Sequence, residues 1–111
     1  MNVHGPFWDD VGHMLDDVAR CDTFDGVRAV LLDDRFERVA AERARQGVVT
    51  DDPDTATFVG SGGTRSLYGA LVRGGWWYVR GTLHDFVVYH PASGDTLSYL
   101  EGDVVRGDPR G

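Results

Sequence analysis

Four histidines, one cysteine and eighteen carboxylates are the groups through which this chain would do chemistry, and their spacing works against most of it. His84 and His90 fall on one face of a strand, but six residues at about 3.3 Å each separate them by roughly 20 Å. That is too far for a shared metal ion unless the strand folds sharply between them. His84 and Asp85 are adjacent, and adjacent strand side chains point to opposite faces, so they form no dyad. Asp9, His13 and Asp17 recur at i,i+4 on one helical face, where His13 and Asp17 could bind a divalent cation or act as a base and its orienter. An exposed acidic stripe is the plainer reading, since no other ligand cluster accompanies it. Cys21 is the one cysteine, which excludes an internal disulfide, a zinc knuckle and a CxxC redox pair. It reads as a small packing residue at a helix end. Neither a metal nor a cofactor is expected.

Two further motifs invite a binding role. Gly60-Ser61-Gly62-Gly63-Thr64-Arg65 could form a backbone nest for a phosphate or carboxylate with Arg65 beside it. It lacks the Lys-Ser/Thr ending of a phosphate-binding loop, and the following SLYGALVR reads as a strand rather than the helix such loops open. A connection between strands, or a loop that docks on a neighbour, is the favoured reading. Arg106-Gly107-Asp108 spells a short adhesion tripeptide, but three residues near a polar tail match easily by accident.

Composition bounds what solvent and partners fit. The chain has 111 residues and a formal charge of −7, with eleven Arg and no Lys, and fifteen Asp against three Glu. High-GC coding replaces Lys by Arg but does not favour Asp over Glu. A salt-rich solvent, where an acidic surface keeps a protein dispersed, explains both, so a halophilic source is expected ahead of a high-GC actinobacterium or its phage. At molar salt the Debye length falls to about 3 Å, and counterion release to a polyanion is strongly weakened. Residues 1–34 carry −6, an excess that fits a solvated face. No apolar run approaches the roughly 20 residues needed to span a bilayer. His4, Asp9, Asp10, Asp16 and Asp17 interrupt the first twenty residues, where a signal peptide would be apolar, so a cytoplasmic or virion location is expected.

The elements that must position these residues follow from periodicity. Val11, Met14, Leu15 and Val18 predict a helix over about 10–20, with Asp9 or Asp10 capping it. Residues 24–32 suit either helix or strand, with helix preferred. Phe36, Val39, Ala40 and Ala44 predict a helix over 35–46, opened by Asp34 and Glu37 as a capping box and closed at Gly47. Past the Asp-Pro break at 51–54 the period turns alternating, and strands are expected at 55–60, 66–73, 76–81, 83–90 and 96–101, with Val104 and Val105 as a short sixth. Gly74-Gly75 and PASGD at 91–95 predict hairpin turns between strands. Gly69 and Gly81 mark bulges or close backbone approaches. The expectation is one α+β domain over 1–111. Two or three N-terminal helices (1–50) precede a curved antiparallel sheet of five or six strands (55–106), and 107–111 form a tail.

That sheet carries more aromatic surface than one face can hide: Trp76 and Tyr78 oppose Trp77 and Val79, and Phe86 and Val88 oppose Val87 and Tyr89. The favoured function is therefore a non-enzymatic interaction or assembly subunit. It would dock on copies of itself or a larger assembly through Trp76, Trp77, Tyr78, Phe86, Tyr89 and Tyr99, together with the Gly-rich loop. A viral head–tail or tail-completion component, or a toxin-neutralising immunity protein, would fit that description. A cone-shaped pocket enzyme using His84, Asp85, His90 or Tyr99 is one alternative. The other is a winged-helix DNA binder with Arg35, Arg38, Arg43 and Arg45 on its third helix and Gly74-Gly75 in its wing, which the acidic charge opposes.

Overall fold

Apolar residues at helical spacing lay down the first layer of the molecule, whose computed structural model describes residues 5–60 and 66–109. Helix α1, Gly5–Val18, buries Val11, Met14, Leu15 and Val18. It begins earlier than expected, so Asp9 and Asp10 lie within it and do not cap it. Helix α2, Phe24–Leu31, settles the ambiguous segment: Phe24, Val27 and Leu31 are buried, and the Thr23 hydroxyl accepts the Gly26 N–H at 3.0 Å. Helix α3, Glu37–Arg45, ends at Gly47, which takes φ +69.

The start of α3 corrects the expected capping box. Phe36 is its N-cap residue and offers no side-chain acceptor. Asp10 of α1 supplies one from across the helical layer, its Oδ2 accepting the Arg38 N–H at 2.8 Å. Asp34 takes the Arg43 guanidinium at 2.9 Å. Arg43 is buried where Ala44 was expected, and it donates to the carbonyls of Leu31 and Leu32 at 3.2 and 3.3 Å. A cation there answers both the orphan carbonyls and the negative dipole end of α2.

The second layer is a five-stranded antiparallel sheet: β1 Thr55–Thr57, β2 Trp77–Thr82, β3 Asp85–Tyr89, β4 Thr96–Leu100 and β5 Asp103–Arg106, in the order β1-β5-β4-β3-β2. The sheet is not strongly curled, contrary to expectation. The segment 66–73 is not a strand but helix α4, Leu67–Arg73, so the helices are interspersed with the strands. Leu67, Ala70 and Leu71 turn inward at i, i+3 and i+4, and the Ser66 hydroxyl accepts the Gly69 N–H at 3.1 Å. Gly69 thus sits in a helix's first turn and makes no bulge. Gly74-Gly75 closes this helix and makes no hairpin, with Gly74 at φ −83 and Gly75 at +93.

Three hairpins build the rest. Leu83-His84 link β2 to β3. The PASGD segment links β3 to β4 with Gly94 at φ +80. Glu101-Gly102, at φ 50 and 97, link β4 to β5 as a two-residue primed turn. The core lies between the helices and one sheet face, where Phe86, Val88, Leu97, Tyr99 and Val104 meet Val11, Leu15, Phe24 and Leu71. Among the described residues no helix is long and apolar enough to cross a membrane.

Candidate interaction surface

Strand alternation sends Phe86, Val88, Leu97 and Tyr99 to the helices, so Val87, Tyr89, Ser98 and Val105 face the other way. The middle of that outer face is nonetheless closed. Gly107, at φ +76, continues the ladder by donating to Thr96 O at 2.8 Å and accepts the Ser98 hydroxyl at 2.6 Å. Asp108 then pairs with Arg80 of β2, which lies beyond β4 and β3 from the end of β5. The tail therefore crosses the outer face, and Val87 and Ser98 are buried beneath it.

What stays uncovered is the β2 end. Trp77 is 62% exposed, Tyr78 55% and Leu83 58%, with Val79 and Tyr89 also exposed. Trp77 lies opposite Tyr89, so both side chains project from the outer face. Tyr78 faces inward at the rim, edge-on to Tyr68 with centroids 6.4 Å apart, its hydroxyl donating to Gly81 O. Val79 is the extra residue of a bulge between Tyr78 and Arg80. Gly81 makes the expected close approach: a Cβ there would lie 2.1 Å from Asp85 O. All six residues of β2 are exposed, and among the described residues no strand pairs with its outer edge. The remaining expected interface residues, Trp76, Phe86 and Tyr99, are buried. Trp76 donates from Nε1 to Cys21 O at 2.9 Å, and Phe86 stacks on Tyr99 at 5.3 Å.

Charge sets this end apart. No Asp or Glu occurs from Thr55 to His84, although the chain holds eighteen. The arginines described in this stretch are matched within the chain, Arg73 with Asp16 at 3.4 Å and Arg80 with Asp108. Among the described residues the charges at this end are therefore matched, Arg80 against Asp108, on an otherwise acidic molecule. Val79, named only as part of the two-sided sheet, and Leu83 lie outside the interface residues expected from sequence, and this missing-acid stretch is the signal that finds them.

The titratable candidates do not converge. His84 is exposed at the β2–β3 turn, and Asp85 begins β3 on the outer face. His90 is buried past the other end of β3, with Nε2 donating to Gly74 O at 2.9 Å, Nδ1 accepting the Ala92 N–H at 3.2 Å, and its ring edge-on to Trp76. One neutral tautomer satisfies both bonds, a packing role. Tyr99 is enclosed among Phe58 and Phe86, and burial, with Asp103 adding to it, holds its hydroxyl above the ordinary tyrosine range. Asp17 is engaged by Arg20 and Arg35, while His13 projects into solvent. Among the described residues no group of three or more His, Cys, Asp or Glu could hold a metal ion. Burial, then Asp17 and Asp22, push the Cys21 thiol upward, which disfavours its nucleophilic form.

Of the Gly-rich loop, Gly60 packs so closely on Val11 that a Cβ would come within 2.9 Å of it, and Ser61, Gly62, Gly63, Thr64 and Arg65 lie outside the described residues. The loop leads into helix α4 rather than a strand, which removes one of the two grounds for discounting it as a nest. Arg35, Arg38, Arg43 and Arg45 each meet an acid: Asp33, Glu37, Asp34 and Glu42. Arg106 is held by Asp25 and Asp54 over the Phe24 ring, and Asp108 by Arg80, so both charged ends of the adhesion-like tripeptide are engaged internally. The chain matches no protein-family model, no curated protein and no solved structure.

Proposed function

We propose that this protein is a non-enzymatic interaction module whose docking surface is the β2 end of the sheet, carrying Trp77, Tyr78, Val79, Leu83 and Tyr89. The observation that carries the reading is the coincidence of exposed rings, an open strand edge and a strand with no acid of its own, its Arg80 matched by Asp108, on a chain of charge −7. Acidic side chains keep the rest of the surface solvated, and their absence leaves this end without that protection. Fully burying one large apolar side chain is worth about 1.5–3 kcal/mol, and open edges invite strand pairing. Apolar contact also survives high ionic strength, which suits the salt-rich solvent inferred from the Asp-rich, Lys-free composition.

The test is native size. In an extract of the cells that make it, at low and at multimolar salt, the protein should migrate well above its 12.2 kDa. A Trp77→Asp variant of unchanged circular dichroism should return to that mass. Migration of the unaltered protein as a single chain at both salt concentrations would defeat the proposal.

A further inference from the structure

We infer that the occupant of this surface is a second copy of the same chain, joined antiparallel along β2 to give a continuous ten-stranded sheet about a two-fold axis; this deepens the docking reading and rests on it. The chemistry of the patch limits what can sit there. Arg73 and Arg80 are already matched by Asp16 and Asp108, so among the described residues the edge offers an acidic partner no unmatched arginine. What it offers is an aromatic strand six residues long, its one cation Arg80 matched by Asp108, with its outer side open. The complementary object is another aromatic strand with an open edge, and β2 of a second molecule is one.

Symmetry favours the arrangement, because an antiparallel strand pair is self-complementary: the contacts that residue i makes with residue j are returned by j to i. Charge then selects the edge. Two chains of −7 repel over most of their surfaces, but β2 carries no acid of its own and the Asp108 carboxylate that reaches it is taken by Arg80, so β2 against β2 brings the copies together where repulsion is least. Trp77 at the start of the strand, with Leu83 and Tyr89 beside it, would extend the contact beyond backbone pairing.

Velocity sedimentation of the purified protein over a range of concentrations, at low and multimolar salt, reads this directly. The sedimenting mass should double from 12.2 kDa, with dimer favoured at high salt, where residual repulsion is screened. Val79→Asp places two carboxylates together near the axis and should weaken the dimer by about tenfold or more, the effect of roughly 1.4 kcal/mol. Should that variant lose its circular dichroism, Val79→Cys in a Cys21→Ser background decides instead: mild oxidation should link the two copies, while Ala41→Cys on exposed α3 should not. A purified chain that stays single at every concentration, a dimer indifferent to Val79→Asp, or no cross-link through position 79 would each overturn the inference. A large native complex in cell extract alongside a single purified chain would overturn the second copy while leaving the docking reading standing.

Discussion

Asp10 in α1 caps the backbone of Arg38 in α3, its Oδ2 accepting the amide hydrogen at 2.8 Å. The bond joins two helices and supplies the cap that Phe36 lacks at the start of α3. Asp10→Ala should cost about 1 kcal/mol, as loss of an N-cap does, and lower the melting temperature by several degrees. Asp10→Asn, which keeps an acceptor oxygen, should recover most of the loss.

Arg43 should matter far more than its acidic partner. Its side chain is 9% exposed and satisfies two carbonyls at the end of α2, whereas Asp34 is 88% exposed. Arg43→Met leaves those carbonyls without a donor and should cost about 2–3 kcal/mol, read as a lower urea midpoint at unchanged slope. Asp34→Ala should shift the midpoint little, as surface ion pairs contribute about 0–1 kcal/mol.

Gly81 should tolerate no side chain. With φ at +108 and a Cβ falling 2.1 Å from a backbone oxygen, Gly81→Ala must move the β2–β3 hairpin and should cost about 2–3 kcal/mol. Gly94→Ala is the matched control: φ is +80 but nothing lies within 4 Å, so about 1 kcal/mol of backbone strain is expected. Thermal melts of both variants decide it.

Alkali should destabilise the fold through buried Tyr99 and half-buried Cys21. Tyr99 is raised above its ordinary 10.0, first by burial and then by Asp103, and Cys21 above its ordinary 9.0, first by burial and then by Asp17 and Asp22. Each loses its proton more readily in the unfolded chain. Their contribution is thus complete below about pH 9 and declines as pH rises through the higher folded-state values. Tyr99→Phe and Cys21→Ala should each flatten part of that decline in stability measured from neutral to strongly alkaline pH.

Local rules made much of the architecture readable before any coordinates. Buried Val27 and Leu31 and the Thr23 cap decide the 24–32 segment for helix, and Gly94 turns where PASGD said it would. The misreading of 66–73 has a definite cause. Tyr68 and Val72 look strand-like one at a time, while the signal that governs is Leu67, Ala70 and Leu71 at helical spacing behind a Ser66 cap. Glu101-Gly102 passed unnoticed because Glu takes positive φ less readily than the Asn or Asp usual in such turns. The Asp10 cap and the tail crossing to Arg80 join residues distant in sequence, which no short window reveals. Two-sided aromatic strands were visible from residue types; which rings stay wet depended on where the tail crosses.

The pairing of β1 with β5 bears on how fast the molecule assembles. Each of the other strand pairs forms across a tight turn, but Thr55 must find Val105 from the far end of the sheet-forming half of the chain. Closing so long a loop gives up the most freedom before any contact repays it. The helical layer and the β2–β5 meander are therefore expected to arise early. Locking β1 against β5 comes last, a slow kinetic step set by a search through the chain's own length.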